Sequence, residues 1–436
     1  MAALPETAIT AQDEVADLLI DLIRINTSNP THPERPAAEW VAGKLDEVGI
    51  ASQLIEAAPG RASTIARIEG ADPSRPPLLI HGHLDVVPAD AGEWSVDPFA
   101  GEVREGYIWG RGAIDMKHLD AMTLALVREW QRTGRRPPRD IVLAFVSDEE
   151  AGGDYGAHHL VDKHRDLFAD CTEAISEVGG FSVSLNEQAR LYLIQTAEKG
   201  LHWLRLNAKG SPAHGSLVHR DNAITRLAAA VARIGEYEWP VVVTDTVRAT
   251  ITGLAEVIGR DLDPDDVDSW LPVLGNAATM VGATIRNTAN PTMLDAGYKS
   301  NVIPSRAEAT VDTRFLAGHE DELLRTIDGL LGEGVERETI VHGIAVETPF
   351  DGTLVDAMCA ALRAEDPGGH PLPYLMSGGT DAKSFSTLGI RCFGFAPLRL
   401  PPELNFRSLF HGIDERVPID ALKFGVRVLD RLLADC

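Results

Sequence analysis

The stretch Pro77-Leu-Leu-Ile-His-Gly-His-Leu-Asp-Val-Val-Pro88 opens on a short apolar run and ends in polar residues. Apolar runs of this length are the strands of sheets buried on both faces. A second run, Ile141-Val-Leu-Ala-Phe-Val146, follows a helical stretch over Leu119–Trp130. Strand, helix, strand in that order predicts a largely parallel sheet covered on both sides. Upstream, residues 10–50 read as two amphipathic helices. The first runs through Val15, Leu18, Leu19, Leu22 and Ile23 and stops near Asn29-Pro30; the second contains Trp40, Val41 and Leu45.

Downstream of about Glu198 the pattern changes. Leu201–Asn207 alternates as a strand, with Leu201 and Trp203 on one face. Asn222–Ile234 reads as a helix, Met280–Arg286 and Ala307–Phe315 as strands, Asp321–Leu331 as a helix and Thr339–Val346 as a strand. The order βαββαβ predicts a ferredoxin-like split sandwich. After Phe350 a helix over Leu354–Arg363 and further short strands return to the first style. The expected plan is an α/β domain with a mainly parallel sheet (residues 1–197 and 349–436), interrupted by a ferredoxin-like α+β domain (residues 198–348). The acidic segment Asp261-Leu-Asp-Pro-Asp-Asp266 reads as a solvated surface insertion.

A chain of 436 residues fits two or three domains at roughly 150 residues each. Lys and Arg number 40 against 65 Asp and Glu, a net charge of −25. Such a field repels phosphate backbones and anionic lipid, which argues against nucleic-acid and membrane partners. Cys171, Cys359, Cys392 and Cys436 are scattered, with neither a disulfide framework nor a C-x-x-C zinc pattern. The first residues lack a basic start followed by an apolar block, and no apolar run nears the roughly 18 residues that span a bilayer. A cytoplasmic location is expected.

Candidate chemistry sits where apolar runs end. If the first run continued as a strand, His81, His83 and Asp85 would share a face, and a carboxylate two residues from a His can fix the ring for a metal. A plain His–Asp surface pair is the alternative. Gly110-Arg-Gly-Ala-Ile-Asp-Met-Lys117 places Asp115 near a helix start, which is also where an ordinary capping Asp would stand. It is no dinucleotide fingerprint, since the third glycine is missing and no strand leads into it. Phe145-Val-Ser-Asp-Glu-Glu-Ala-Gly-Gly153 sets three acids at a strand's carboxyl end, where open α/β sheets bind ligands. Repulsion among Asp148, Glu149 and Glu150 is costly unless water or a cation screens it. Ile175-Ser-Glu-Val-Gly179 adds Glu177, and Phe410-His-Gly-Ile-Asp-Glu-Arg416 adds His411.

Taken in order, G-H-L-D-V-V-P, G-R-G-A-I-D-M-K, D-E-E-A-G-G, S-G-G-T-D and H-G-x-D-E-R resemble the family of aminoacylase, carboxypeptidase G, acetylornithine deacetylase and succinyl-diaminopimelate desuccinylase. The resemblance covers nearly the whole chain and implies a zinc-exopeptidase-like catalytic domain with an inserted lid or dimerisation domain. It further implies two zinc ions: one held by His83 and Glu177, the other by Glu150 and His411, with Asp115 bridging. Asp85 would orient His83, Glu149 would be the general base, and His81 would not be a ligand. Imidazole with carboxylate suits zinc better than magnesium, with cobalt or manganese as substitutes. The implied reaction is hydrolysis of an amide or peptide bond beside a free carboxylate, in a small peptide or an N-acyl amino acid.

The resemblance extends to the inserted domain. Gly210-Ser-Pro-Ala-His-Gly-Ser216 resembles the family loop whose histidine, here His214, completes the oxyanion site, often across a homodimer. The proline-containing continuation usual after that His is absent. Asn301 and Arg314 match substrate-carboxylate contacts, a task for which the planar Arg fork is suited. Ser377-Gly-Gly-Thr380 could offer Gly379 and Thr380 to the same carboxylate, or be a plain turn. His118, His158, His159 and His219 read as surface residues, although His118 could line the site. Two other classes fit the residues less well. A non-catalytic relative would be expected to lose the base or a ligand, and a magnesium phosphohydrolase would carry fewer imidazoles.

Overall fold

Apolar runs become central strands where helices cover both faces, and hairpins form where connections are too short for a crossover. In the computed structural model, which describes residues 9–184, 190–273 and 278–436, the chain divides into two units. One comprises Met1–Gln195, Phe350–Pro373 and Thr380–Cys436, the other Thr196–Pro349 and Tyr374–Gly379.

In the first unit, Leu78–His83 and Ile141–Val146 are buried at every residue and pair in parallel. Glu173–Ser176 adds in parallel to the first of these, and Arg391–Gly394 in parallel to Glu173–Ser176. The parallel centre is as expected; the flanks are antiparallel. Arg61–Ile68 pairs antiparallel with Ile141–Val146, and Ser52–Ala58 with Arg61–Ile68. Only Pro59 and Gly60 separate those last two strands, and Gly60 takes φ +83° to turn the chain. The expected helix at Leu119–Trp130 runs from Lys117 to Thr133 and is buried along most of its length. Ala11–Arg24 and Ile419–Asp435 pack on it. Lys117 enters that core by donating to the carbonyls of Leu22 (3.0 Å) and Ile25 (2.9 Å) at the end of the first helix, where carbonyls lack their full intrahelical pairing. Burial lowers its pKa to about 8.

The second unit holds a four-stranded antiparallel sheet in the order Thr288–Ala296, Arg306–Phe315, Gly200–Lys209, Val335–Gly343. Helices Ala223–Gly235 and Glu320–Leu331 pack on it through Leu204, Leu206, Leu227, Ile234, Val311, Leu323 and Ile327. This is the expected ferredoxin-like order. The face that carries Leu201 and Trp203 is the outer one, with Trp203 38% exposed.

Two strands differ from expectation. Met280–Arg286 is not a strand: Ala278–Thr284 is helical, and the strand is Thr288–Ala296. That strand lies at the sheet edge, mostly exposed, with Pro291 beside a register shift. An edge strand needs no apolar alternation and tolerates proline, so its sequence signal is weak. The single strand expected over Thr339–Val346 is instead Val335–Gly343 followed by the short Val346–Glu347, which pairs with Glu198 and Ala197. The four acids of the 261–266 segment are exposed, as expected, but Leu262 within it and the following Trp270 are buried. No helix among the described residues is long and apolar enough to cross a membrane.

Candidate metal centre

Parallel strands end on one edge, and the chemistry-bearing residues of the first unit gather there. His83 is the last residue of its strand. Glu149 and Glu150 open a 3-10 turn just after Ile141–Val146, and Glu177 follows Glu173–Ser176. Gly82 lets a neighbouring helix close on the strand, since a Cβ there would stand 2.4 Å from Asp120 Oδ1.

Asp115 lies between the two imidazoles. Its Oδ1 is 3.3 Å from His83 Nε2 and its Oδ2 is 3.2 Å from His411 Nε2. His83 Nε2 also faces Glu177 at 3.5 Å and Glu149 at 3.9 Å, while His411 Nε2 is 3.2 Å from Glu150. His83, Glu149 and Glu177, and again His83, Asp115 and Glu150, are close enough to share a cation. His83 Nε2 and Glu150 Oε1 are buried without a hydrogen-bond partner. Buried polar atoms are seldom left so, and a cation held among these donors would satisfy both.

Asp85 serves differently from expectation. It lies beyond the strand's end, and His83 Nδ1 meets its backbone carbonyl at 2.9 Å, nearer than the carboxylate at 3.7 Å. The carboxylate instead accepts from the backbone N–H groups of Glu149 and Glu150, both at 3.0 Å, and from Asn29 at 3.0 Å. His81, set aside as a ligand, is buried against Phe385 with Nδ1 3.2 Å from the Ser176 hydroxyl. Asp148 (φ 70°) and His411 (φ 54°) adopt left-handed backbone, a strained state that clusters at functional sites.

Electrostatics follow from crowding. Burial pushes the Glu149 carboxyl well above its usual range; Glu177, Asp381 and Glu150 push the same way and His83 opposes. Burial, with Asp115 and Glu150, raises Glu177 to about 7 against His83. Burial also acts on Asp115, but the His411 and His83 imidazoles beside it prevail and hold it below its usual range. Hydrogen bonds to Asp115 and Glu150 raise His411 to about 10.

Three residues here stand outside the ligands and base that the motifs imply. Asp381 is buried, with burial and the charges of Asp85 and Glu177 raising its pKa; its one signal is its place at the end of the S-G-G-T-D motif. Glu415 is fully buried and accepts from Arg111 (2.7 Å), Ile114 N (2.7 Å) and Asp115 N (3.2 Å), so it holds the turn that presents Asp115. His118, read as a surface residue that could also line the site, is buried beside Asp115, with its pKa lowered by burial to about 4.

The candidates in the second unit are more open. His214 is exposed, its Nδ1 2.8 Å from the Ser216 hydroxyl, and the Asn301 carbonyl accepts from Gly215 N at 2.9 Å. The Arg314 fork is already engaged by Asp312 at 2.7 and 3.1 Å. Gly379 is exposed. In the first unit, Thr380 is buried and its hydroxyl accepts from Ala382 N at 3.1 Å, as in a turn.

A family model described as peptidase family M20/M25/M40 matches residues 79–435. The chain is 27% identical to aminoacylase-1 of Homo sapiens over 419 residues, 94% of this chain and 92% of that protein. It is 26% identical to the N-fatty-acyl-amino acid synthase/hydrolase PM20D1 of Xenopus tropicalis over 453 residues, 99% of this chain and 87% of that one. Among solved structures, the M20 family metallo-carboxypeptidase Sso-CP2 from Sulfolobus solfataricus matches with a TM-score of 0.74 at 20% identity, over 97% of this chain and 99% of that one.

Proposed function

The chain belongs to peptidase family M20/M25/M40 and is a metal-dependent hydrolase; from that premise we propose that it uses two zinc ions to cleave an amide or peptide bond beside a free carboxylate. The observation that carries this reading is Asp115 standing between His83 and His411, with Glu177 and Glu150 closing the two sides. His83 and Glu177 would hold one ion and His411 and Glu150 the other, with Asp115 shared. Two imidazoles with three carboxylates fit zinc, with cobalt or manganese as substitutes. Bound there, the ions supply Lewis-acid polarisation of the scissile carbonyl and lower the pKa of a water to about 7.

The chain's own groups do the rest. Glu149 stands farther from His83 Nε2 than Asp115 and Glu177 do, which suits a base at the rim. It takes a proton from the attacking water and returns it to the leaving nitrogen. The Asp85 carboxylate holds the backbone of Glu149 and Glu150 together, so base and ligand keep a fixed spacing. His214 would stabilise the oxyanion, and Asn301, Arg314, Gly379 and Thr380 would bind the substrate carboxylate.

The leading substrates are small peptides, in the manner of a dipeptidase or carboxypeptidase. N-acyl amino acids are the second reading, favoured by the names of the two curated relatives. Metal-depleted protein, reloaded with zinc, cobalt or manganese, should be assayed on unblocked dipeptides, N-acetyl amino acids and their carboxyl-amidated counterparts. Turnover is expected only with metal and only with the free carboxylate; equal turnover of the amidated compounds would defeat the reading. A homodimer through the inserted domain belongs to the same proposal, supported by the exposed edge strand with Met293 and Leu294 uncovered. Sedimentation tests it.

A further inference from the structure

We propose a second kind of cation site, for a divalent ion of the zinc, nickel or copper class, on the inserted sheet, held by His202, Glu320 and His342. His202 on Gly200–Lys209 lies directly opposite His342 on Val335–Gly343, and Glu320 begins the helix Glu320–Leu331. Glu320 Oε1 is 2.9 Å from His342 Nε2 and 3.4 Å from His202 Nδ1. The three donor atoms lie within 4.8 Å of one another. Nitrogen and oxygen donors at about 2.1 Å from a tetrahedral zinc stand roughly 3.3 Å apart, so both Glu320 separations match donors sharing an ion.

His202 supplies the second observation. It is 5% exposed, its Nε2 is 2.8 Å from the Thr339 hydroxyl, and its Nδ1 is buried without a formed hydrogen bond. Either atom of the Thr339 contact can be the donor; with the proton on Nε2, the Nδ1 lone pair faces the Glu320 carboxylate. A cation between those two groups satisfies both, and in that tautomer the Thr339 contact holds the ring for ligation. A bulge builds the arrangement. Thr339 and His342 are three residues apart, which in a regular strand puts them on opposite faces. The register shift that sets Trp203 against Val341 and Leu204 against Thr339 brings both to the face of His202. His342 remains 44% exposed, leaving a path for the ion and a position for water.

The test counts zinc in full-length protein that has been metal-depleted and then equilibrated with zinc, comparing wild type with His342→Ala, Glu320→Gln and Thr339→Val. All four proteins share the strand-edge ligands, so the difference in count reads the same however many ions those ligands hold. His342→Ala and Glu320→Gln should each carry one zinc fewer per chain. Thr339→Val should weaken that ion about 10- to 100-fold. Hydrolysis by His342→Ala should be unchanged. Equal counts in wild type, His342→Ala and Glu320→Gln at saturating zinc would overturn the site. So would His202 and His342 ring resonances that titrate with pH yet do not move when zinc is added, the mark of a bridge made by a proton alone.

Discussion

Two buried acidic regions of the first unit solve the same problem in opposite ways. At Asp366, 2% exposed, the carboxylate receives Arg190 Nε at 2.6 Å and the Tyr192 hydroxyl at 2.8 Å. These partners outweigh burial and hold its pKa below the usual range. At the strand edge, Asp85, Asp115, Glu149, Glu150, Glu177 and Asp381 crowd around two imidazoles. Among the described residues of the unit, none of these acids has a Lys or Arg within ion-pair distance. Uncompensated carboxylates in a dry pocket are unfavourable by several kcal/mol each. The first region is finished by the protein's own charges; the second is built to be finished by cations from solution.

The sharpest way to separate the two is to neutralise one acid in each. Glu149→Gln should lower kcat by about 10²- to 10⁴-fold while metal content stays at the wild-type value. Loss of metal in that variant would make Glu149 a ligand instead of the base, and unchanged kcat would remove it from the mechanism. Asp366→Asn should leave turnover intact and cost about 3 kcal/mol of stability, the usual loss on breaking a buried ion pair. Its pH signature follows from the sign of the shift. A depressed folded-state pKa contributes stability above the unfolded value, near about 3.9, and loses it as pH falls through the folded one. Wild type should therefore destabilise more steeply than Asp366→Asn in that acid range, as read from urea midpoints against pH; parallel curves would refute the account.

Glu415→Gln probes the boundary between the two styles, because Glu415 is paired with Arg111 yet serves the strand edge by holding Ile114 N and Asp115 N. Zinc affinity should fall about 10- to 100-fold, with kcat at saturating metal close to wild type. Unaltered affinity would show that the Asp115 turn holds itself. The smallest effect is expected at Arg314, whose fork must be shared with Asp312. Arg314→Ala should raise KM for carboxylate substrates about 10-fold, in line with one charge-assisted hydrogen bond, with little change in kcat. An equal rise for carboxyl-amidated compounds would remove Arg314 from carboxylate recognition.

Much of this is legible from residues alone where the signal is local. The parallel centre follows from continuous apolar runs at Leu78 and Ile141, and the two helices and the two inner strands of the inserted domain from the periods along the chain. The acids at Glu149 and Glu177 announce themselves by following buried strands, which end on one edge whenever crossovers are helical. Asp115 and His411 have no such local signal, and motif order carries them.

Other features exist only because distant segments meet. Glu415 means nothing until the turn at Ile114 lies against it, and Asp381 reads as the end of a turn until burial raises its pKa. The burial of His118 depends on what covers the start of its helix. Thr288–Ala296 is illegible because an exposed edge strand is under no demand to alternate, and the His202–Glu320–His342 group because a one-residue bulge, invisible in sequence, decides which side chains share a face. Along the chain the sequence determined periodicity and the order of the reactive groups, since both are set by neighbours a few residues away. Register, burial and the pairing of charges were decided by the tertiary structure, since each depends on atoms brought together from tens to hundreds of residues apart.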